Sequence, residues 1–467
     1  MDLEQLKRRQ SLKVVISEAI MVIAVILMVT ILAFIVSGYW VNSDFQIERQ
    51  GLLQLSSTPS GASIEIDGGS SWLQKTNASK VLSSGEHKIK LTKEGYDSWE
   101  KKITISEGLL YRLNYPRLFS DDRYPEEVFQ TVGTTAASVS QNHETMLLMD
   151  GTTVWSLINL NSDTIEAKKI DISNYFSAVS IAKGAKIGLF TGHIFNYEWD
   201  RDGSHILFKV SDGENIEWVL IDVKNVENSI NLTKSFGYGF EDVKIINNSA
   251  SELLATQSRS LHKINTSNRS ISSVLIDGVI DFNHFDNEVV FCAQNETADG
   301  YYVGVLNLGN NKVTSLKETT LPAKVANSRF YDDKVVVVQI DNMVSVYEKD
   351  DYSKLSSFTL SFIPGAIKIG HGGEFIVLYS DTNLATIDME SLKLSEWQVE
   401  GSKFGWLDSY MVYTVADGNL IVYDYDGLNR RELSKGVSTR LPATITNNKW
   451  LYYFNDNSLI RESLIPR

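Results

Sequence analysis

The stretch Ala19 to Trp40, twenty-two residues without a charged side chain, constrains this chain more than any other. As a helix at about 1.5 Å per residue it covers roughly 33 Å, enough to cross a bilayer core. It leaves an N-terminal stub of eighteen residues (1–18) on one side and more than four hundred residues on the other. A buried core helix needs a domain around it, and the stub is too short to supply one. Lys7, Arg8, Arg9 and Lys13 precede the apolar run, whereas the far flank carries Asp44 and Glu48 before its first basic residue, Arg49. The positive-inside rule then places the stub in the cytoplasm and the C-terminal bulk outside the cell membrane, with Tyr39 and Trp40 as interfacial aromatics on the outer side. A cleaved signal peptide is the competing reading. The run is longer than a usual signal core and no Ala-x-Ala site follows it, which favours a retained signal anchor.

The chain as a whole is acidic, with a net charge of −14 over 467 residues, and the charge is spread along its C-terminal bulk. Such a surface argues against nucleic acid and anionic lipid as main partners. The single cysteine, Cys292, lies in the apolar run Val289-Val290-Phe291-Cys292 and reads as a buried strand residue. A domain outside the membrane with no internal disulfide must hold itself by packing alone, which suits a bacterial surface protein.

After a linker (41–50), residues 51–116 show short strands with alternating polarity: Leu52–Leu55, Ala62–Ile66, His87–Leu91 and Lys102–Ile105. Turn signals separate them, at Pro59-Ser60-Gly61, Asp67-Gly68-Gly69, Ser84-Gly85 and Glu94-Gly95. Period and punctuation together predict a β-sandwich of about seventy residues. The order Gly51-x-Leu53-x-Leu55, Thr58-Pro59-Ser60-Gly61-Ala62, Ile64-x-Ile66-Asp67-Gly68 resembles the opening of the PEGA domain. Leu82-x-x-Gly85-x-His87-x-Ile89-x-Leu91, Lys93-x-Gly95-Tyr96 and Ile103-x-Ile105-x-x-Gly108 resemble its later half. Two loops depart from the pattern: Ser60 stands where the family has Glu, and Gln74-Lys75-Thr76-Asn77 replaces a Gly-x-Thr-Pro step. The resemblance implies a membrane-anchored bacterial surface protein and a small sandwich without catalytic residues, in which Pro59, Gly61, Ala62, Asp67, Gly68, Gly85, His87, Gly95 and Tyr96 are structural. Tyr96 and Trp99 suggest either an aromatic platform for a sugar ring or core packing, and packing is the favoured expectation.

Residues 117–127 turn polar and read as a linker. Beyond them, from 128 to 467, apolar runs of four to six residues recur between turns with no helical period. Units open near residues 139, 197, 243, 280, 328, 367, 404 and 444 and end at a polar stop. A spacing in the forties with short strands is the signature of β-propeller blades. Eight openings suggest eight blades, and the irregular first interval leaves seven open; a strand from about Val128 to Val132 is expected to complete the last unit and close the ring. Trp199-Asp200-Arg201-Asp202-Gly203 resembles the Trp-Ser-Pro-Asp-Gly turn of TolB-type propeller repeats. An array of β-sandwiches is the alternative architecture. The predicted fold class is therefore an all-β ectodomain, a PEGA-like sandwich plus a seven- or eight-bladed propeller, after one N-terminal transmembrane helix.

Motifs for chemistry are sparse. The Asp-Gly pairs are hairpin turns first; Asp200-x-Asp202-Gly203 and Asp424-x-Asp426-Gly427 begin like calcium loops, but no late Glu follows at the required spacing. The seven histidines are scattered, and His143-Glu144 lacks the second His of a zinc-protease helix. No nucleophile elbow, phosphate-binding glycine loop or Cys-x-x-Cys occurs. The expectation is a non-catalytic binding or scaffolding protein of the cell envelope, with no cofactor or metal and with wall glycan or envelope proteins as partners. The alternative is an extracytoplasmic hydrolase acting on glycan or peptide, its carboxylates converging in the propeller channel.

Overall fold

The structure is a computed structural model of the chain. It describes residues 3–36, 39–41, 47–134, 136–149, 153–177, 197–211, 216–246, 249–295, 300–330, 333–348, 351–370, 373–401, 404–439 and 442–466. The chain forms two compact units, 1–119 and 120–467.

In the first unit a single helix, α1 (Leu3–Val36), contains a 19-residue span, Ile16–Phe34, long and apolar enough to cross a membrane and with none of its residues buried by protein. The helix thus differs from the expected span of 19–40 at both ends. It starts earlier because the stub is rich in Leu, Lys, Arg, Gln and Glu, all good helix formers. It stops sooner, and Tyr39 and Trp40 lie on a strand, β1 (Tyr39–Val41), paired with β2 (Ile47–Arg49). Glycine and serine follow Val36 in the sequence, and neither favours continuing a helix.

Seven strands then build the sandwich: β3 (Gly51–Leu55), β4 (Ser63–Ile66), β5 (Gly69–Lys75), β6 (Ala78–Leu82), β7 (Gly85–Thr92), β8 (Trp99–Ile105) and β9 (Leu110–Leu113). One sheet has the order β6-β3-β9 and the other β5-β4-β7-β8, with β3 and β9 parallel. Strict alternation along β3 and β8 puts Leu53, Leu55, Trp99, Ile103 and Ile105 inside, where they meet Ile64, Ile89, Leu91 and Leu113. Trp99 is fully buried, its ring edge-on to Tyr115 at 6.1 Å, so it is core packing and not a sugar platform. Part of the expected linker 117–127 belongs to this sandwich. Leu118 and Phe119 are buried, Leu118 N–H donates to the Thr58 carbonyl (2.9 Å), and Phe119 N–H donates to the Asp97 carboxylate (2.7 Å). An apolar Leu-Phe pair between polar neighbours reads as linker by composition, yet it has a core to enter.

Among the described residues the second unit forms eight four-stranded antiparallel sheets. Seven are simple meanders, and we number them blades 1 to 7, at 136–171, 197–231, 242–271, 279–319, 324–359, 366–398 and 404–435. Blade 8 combines three C-terminal strands (Thr444–Thr446, Trp450–Phe454, Ser458–Ser463) with β10 (Pro125–Gln130), which pairs with Ser458–Ser463 as the outermost strand. The first strand of the unit therefore completes its last blade, and the blade count is eight. The closing strand begins a few residues before the expected Val128.

The second strand of each blade explains why its residues are apolar without alternation. Ile206 and Phe208 pack on blade 1, whereas Leu207 packs on blade 3. Leu254 faces blade 4, and Val289 and Phe291 answer it. Val290 and Cys292 meet Val336 and Val338, while Val335 and Val337 meet Ile376 and Leu378. Val377 and Tyr379 meet Val412 of blade 7, and Tyr452 and Phe454 of blade 8 meet Leu148 and Ile158 of blade 1. A strand sandwiched between two neighbours must be apolar on both faces, so a run such as Val335-Val336-Val337-Val338 reads as continuous. Blades 7 and 8 join through polar links: Ile445 N–H to the Leu407 carbonyl (2.8 Å) and Ser434 Oγ to Glu462 (3.0 Å).

The polar stops have a structural cause. In five blades the third strand ends on Asn159, Asp222, Asn265, Asn307 or Asp388, each accepting a backbone N–H two residues on, at 2.9, 3.0, 3.0, 2.9 and 2.9 Å respectively. Such side chains satisfy the turn that leads to the outer strand and end the ladder.

Candidate functional site: the propeller channel

The first strands of blades 1 to 6 wall a cavity of about 1390 Å³. Its lining includes Tyr197, Glu198, Asp242, Lys244, Asn283, His284, Asn327 and Lys368, all from first strands, with Trp218 and Tyr379 from strands behind them. The first strands of blades 2 to 6 each bring one or two polar groups to the lumen.

Charge is concentrated on blades 2 to 4. Lys244 Nζ lies 3.9 Å from Asp242 Oδ2 and 5.6 Å from the centre of the Phe282 ring. Burial works against its ammonium charge, but Asp242, Glu198 and Asp281 together outweigh burial and raise its pKa. Burial raises the carboxyl pKa of Glu198, with Lys244 opposing the shift. Burial likewise raises Asp281, whose Oδ2 accepts the Val325 N–H at 2.8 Å. His284 is pushed down to about 4 by burial, reinforced by the nearby charges of Lys244 and Arg201, so its ring is neutral at pH 7. Across the lumen Lys368 is open to solvent but enclosed by protein walls, and that enclosure lowers its pKa. Arg201 stacks over Phe285 at 5.7 Å. The arrangement presents hydrogen-bond donors, acceptors and both signs of charge in one open cavity that aromatic residues also line. Among the described residues no group of three His, Cys, Asp or Glu is placed to hold a metal ion.

The Asp200 turn borders this channel. Asp200 is 4% exposed; its Oδ1 accepts Ser204 N–H (2.7 Å) and His205 N–H (3.1 Å), and its Oδ2 bonds His205 Nδ1 (2.7 Å). These bonds commit its oxygens to the turn, where a calcium loop would aim them at an ion. Gly203 makes the turn feasible: its φ is +63°, and a Cβ there would meet Ser140 Cβ at 2.9 Å. Asp424 and Asp426 are likewise engaged, with Asn429 Nδ2 (2.8 Å) and Leu428 N–H (3.3 Å).

The residues singled out from the sequence lie in the first unit. Lys7, Arg8, Arg9 and Lys13 are on α1 ahead of its apolar span. The Phe34 and Tyr39 rings are 5.2 Å apart, and Arg49 sits over Tyr39 at 5.8 Å, so the hairpin returns to the helix end. In the sandwich, Asp67 and Gly68 form the β4–β5 turn, both with positive φ (52° and 79°), a geometry that Asp-Gly supplies. Asp67 clamps β7 by accepting Lys88 N–H (2.8 Å) and bonding His87 Nδ1 (2.7 Å); these two contacts, the Lys88 bond foremost, lower its pKa. His87 Nε2 also meets the Ser83 carbonyl at 2.8 Å. Gly61 N–H and Ala62 N–H both bond Thr76, at 2.9 and 3.0 Å, beside Pro59. Gly85 opens β7, and Gly95 and Tyr96 form the β7–β8 turn, with Lys93 over the Tyr96 ring at 5.5 Å. Their roles there are local and structural.

The channel groups were not identifiable from the sequence alone, since they come from strands some forty residues apart. A signal does exist: Asp242-Val243-Lys244, Asp281-Phe282-Asn283 and Ile367-Lys368-Ile369 place polar residues at alternate positions of the strand that opens each unit.

Residues 50–117 match the PEGA domain. No curated protein matches the chain. Among solved structures, the C-terminal WD40 domain of Sif2 is similar at 13% identity, over 73% of this chain and 99% of its own, with a TM-score of 0.46. Kluyveromyces lactis Hsv2 is similar at 12% identity over 64% and 98%, with a TM-score of 0.41. An oligogalacturonate lyase from Vibrio parahaemolyticus is similar at 13% identity over 68% and 98%, with a TM-score of 0.40. The ring of eight blades stands on its own strand pairing and core contacts. The chain thus carries a PEGA domain, at residues 50–117, between an N-terminal apolar helix and an eight-bladed propeller.

Proposed function

We propose that this is a bacterial cell-envelope protein, held by α1 as a retained signal anchor with its N-terminus cytoplasmic, which binds a polar ligand in its propeller channel without transforming it. The observation that carries the reading is the open lumen of about 1390 Å³, lined by Glu198, Asp242, Lys244 and Lys368 together with Tyr197, Trp218 and Tyr379. Hydroxyl-rich chains such as wall glycan suit that lining: paired charges and amides bond sugar hydroxyls, and aromatic faces cover the ring C–H groups. The basic N-terminal flank supports the orientation. The test is retention of the full-length chain, in detergent or nanodiscs, by isolated wall glycan. Retention by an envelope protein in place of glycan would shift the ligand class, and failure with both would remove the binding reading.

A second reading, a hydrolase, is favoured by one observation: Glu198 and Asp281 both have raised carboxyl pKa values and both stand beside Lys244. A carboxyl whose pKa is raised by burial suits a general acid. Release of soluble saccharides from wall glycan, abolished in Glu198→Gln, would establish it.

A further inference from the structure

One face of the PEGA domain departs from the polar-outside pattern. On the sheet β6-β3-β9, Leu52 stands opposite Val81 on one side and opposite Leu110 on the other. The three side chains form one row across the outer face, and all are exposed, Val81 at 60%. Leu109, in the turn just before β9, adds a fourth apolar group and is 62% exposed. The next row along the same strands is polar, with Gln54 between Ser79 and Arg112. The apolar groups therefore gather at one end of the sheet, where β3 begins.

That end is the one tied to α1. The hairpin pairs Tyr39 with Arg49, and the Phe34–Tyr39 and Arg49–Tyr39 contacts hold it at the end of the apolar span. Leu52 lies three residues beyond Arg49, at most about 10 Å of extended chain. The hairpin thus uses up linker that would otherwise carry the sandwich away from the bilayer. The polar interfacial zone is roughly 5–8 Å deep on each side of the hydrocarbon core, so the row is within reach of it. Arg49 precedes Leu52 by three residues, and Arg112 stands in the next row beside Gln54; guanidinium groups near a lipid surface suit its phosphates.

We propose that Leu52, Val81, Leu109 and Leu110 seat the PEGA domain on the surface of the bilayer that α1 crosses. The occupant of this apolar row is the headgroup–acyl boundary of the lipid. The proposal rests on α1 being a retained membrane anchor. Seated in this way, the sandwich is a fixed foot at the membrane and does not swing on a flexible tether.

The test uses the full-length chain in nanodiscs with an environment-sensitive fluorophore on a single introduced cysteine. Cys292 is fully buried and stays unlabelled in the folded protein. Three positions are labelled in turn: Ile26→Cys in the span, Val81→Cys in the row, and Glu94→Cys, in the exposed β7–β8 turn at the opposite end of the sandwich. Lipids carrying a quencher deep in the acyl chain, for position 26, or at the headgroup–acyl boundary, for positions 81 and 94, are then added to the bilayer. The expected result is a blue shift and loss of emission at positions 26 and 81, with position 94 unaffected. Quenching at 26 without quenching at 81 overturns the docking and leaves the anchor standing. No quenching at 26 overturns the anchor and the docking with it. A blue shift at 81 without lipid quenching places a protein there and overturns the proposal, as does equal quenching at 81 and 94. Substituting aspartate at both Leu109 and Leu110, exposed positions whose change leaves the sandwich core intact, is expected to abolish the quenching at 81.

Discussion

Replacing Asp200 by asparagine probes the turn beside the channel and the charge state of His205 together. The carboxylate is 4% exposed and makes three bonds, two to backbone N–H groups and one to the imidazole. Burial opposes its charge, but these bonds outweigh burial and depress its pKa. The Asp200 bond, with Asp222 at 3.8 Å on the other nitrogen, raises the pKa of His205 against its own burial. A hydrogen bond to a charged group contributes about 1.5–3 kcal/mol. Asparagine retains an acceptor for the backbone groups and loses the ionic bond, so D200N is expected to cost about 2 kcal/mol near pH 6. Because the His205 pKa is raised on folding, its contribution is fully present below its unfolded value, near 6.5, and fades as pH rises through the folded value. The depressed Asp200 pKa supplies stability above its unfolded value, near 3.9, which is lost only as pH falls through the folded one. The gap between wild type and D200N should therefore be widest at about pH 5–6.5 and narrow on the alkaline side. Urea unfolding followed by tryptophan fluorescence, at intervals from pH 5 to pH 9, measures it. A gap of constant size across that range would show that His205 is not held as the cation, and the reasoning would fail.

Other outcomes follow from single contacts. Trp155 is 1% exposed, with its ring 5.1 Å from Phe208 across the boundary between blades 1 and 2, so Trp155→Ala should lower unfolding free energy by about 3–5 kcal/mol. Arg461 ties the closing strand by donating to Glu126 (3.0 Å) and to the Asp163 carbonyl (2.9 Å) while lying 4.4 Å over Trp450. Arg461→Ala should cost about 2 kcal/mol by urea unfolding, and Arg461→Lys should recover little, because an ammonium lacks the planar fork. In the PEGA domain, the Asp67 carboxyl should titrate by NMR below the ordinary aspartate range, and in His87→Gln its midpoint should rise toward that range, while the Lys88 bond keeps part of the depression. In the channel, Glu198→Gln removes one of the carboxylates that raise the Lys244 pKa, so NMR of the lysine should show a lower midpoint.

Much of the fold could be read from the sequence because two physical signals coincide there. Runs such as Val335–Val338 are apolar on both faces only if two neighbours cover them, and Asx stops such as Asp388 mark where each third strand must turn. The eight openings read from the sequence lie within about four residues of the observed first strands, and the closing role of the segment around Val128 follows from a last unit that is one strand short. The PEGA motif was legible for the same reason: its turn residues carry fixed backbone requirements, as Asp67-Gly68 does. What escaped is what depends on closure in three dimensions. Strands β5, β6 and β9 have weak alternation and gain their place from partners already folded. Leu118 and Phe119 read as linker because the groups their N–H donors bond, on Thr58 and Asp97, lie upstream in other parts of the sandwich. Glu198, Lys244, Asn283 and Lys368 become one lumen only when blades 2, 3, 4 and 6 are bent into a ring. Asp200 reads as part of a turn because no late Glu completes a calcium loop, and its oxygens bond within that turn.

The central claim is that the channel is where this protein meets its ligand, and filling the channel tests that most directly. Asn283 lines the cavity from a first strand, and tryptophan there would fill part of the lumen. Retention of full-length wild type and Asn283→Trp by isolated wall glycan should be compared, with the two matched for thermal unfolding. The account predicts that wild type is retained and that the filled channel is not. Equal retention of both proteins would place the binding surface elsewhere and contradict it.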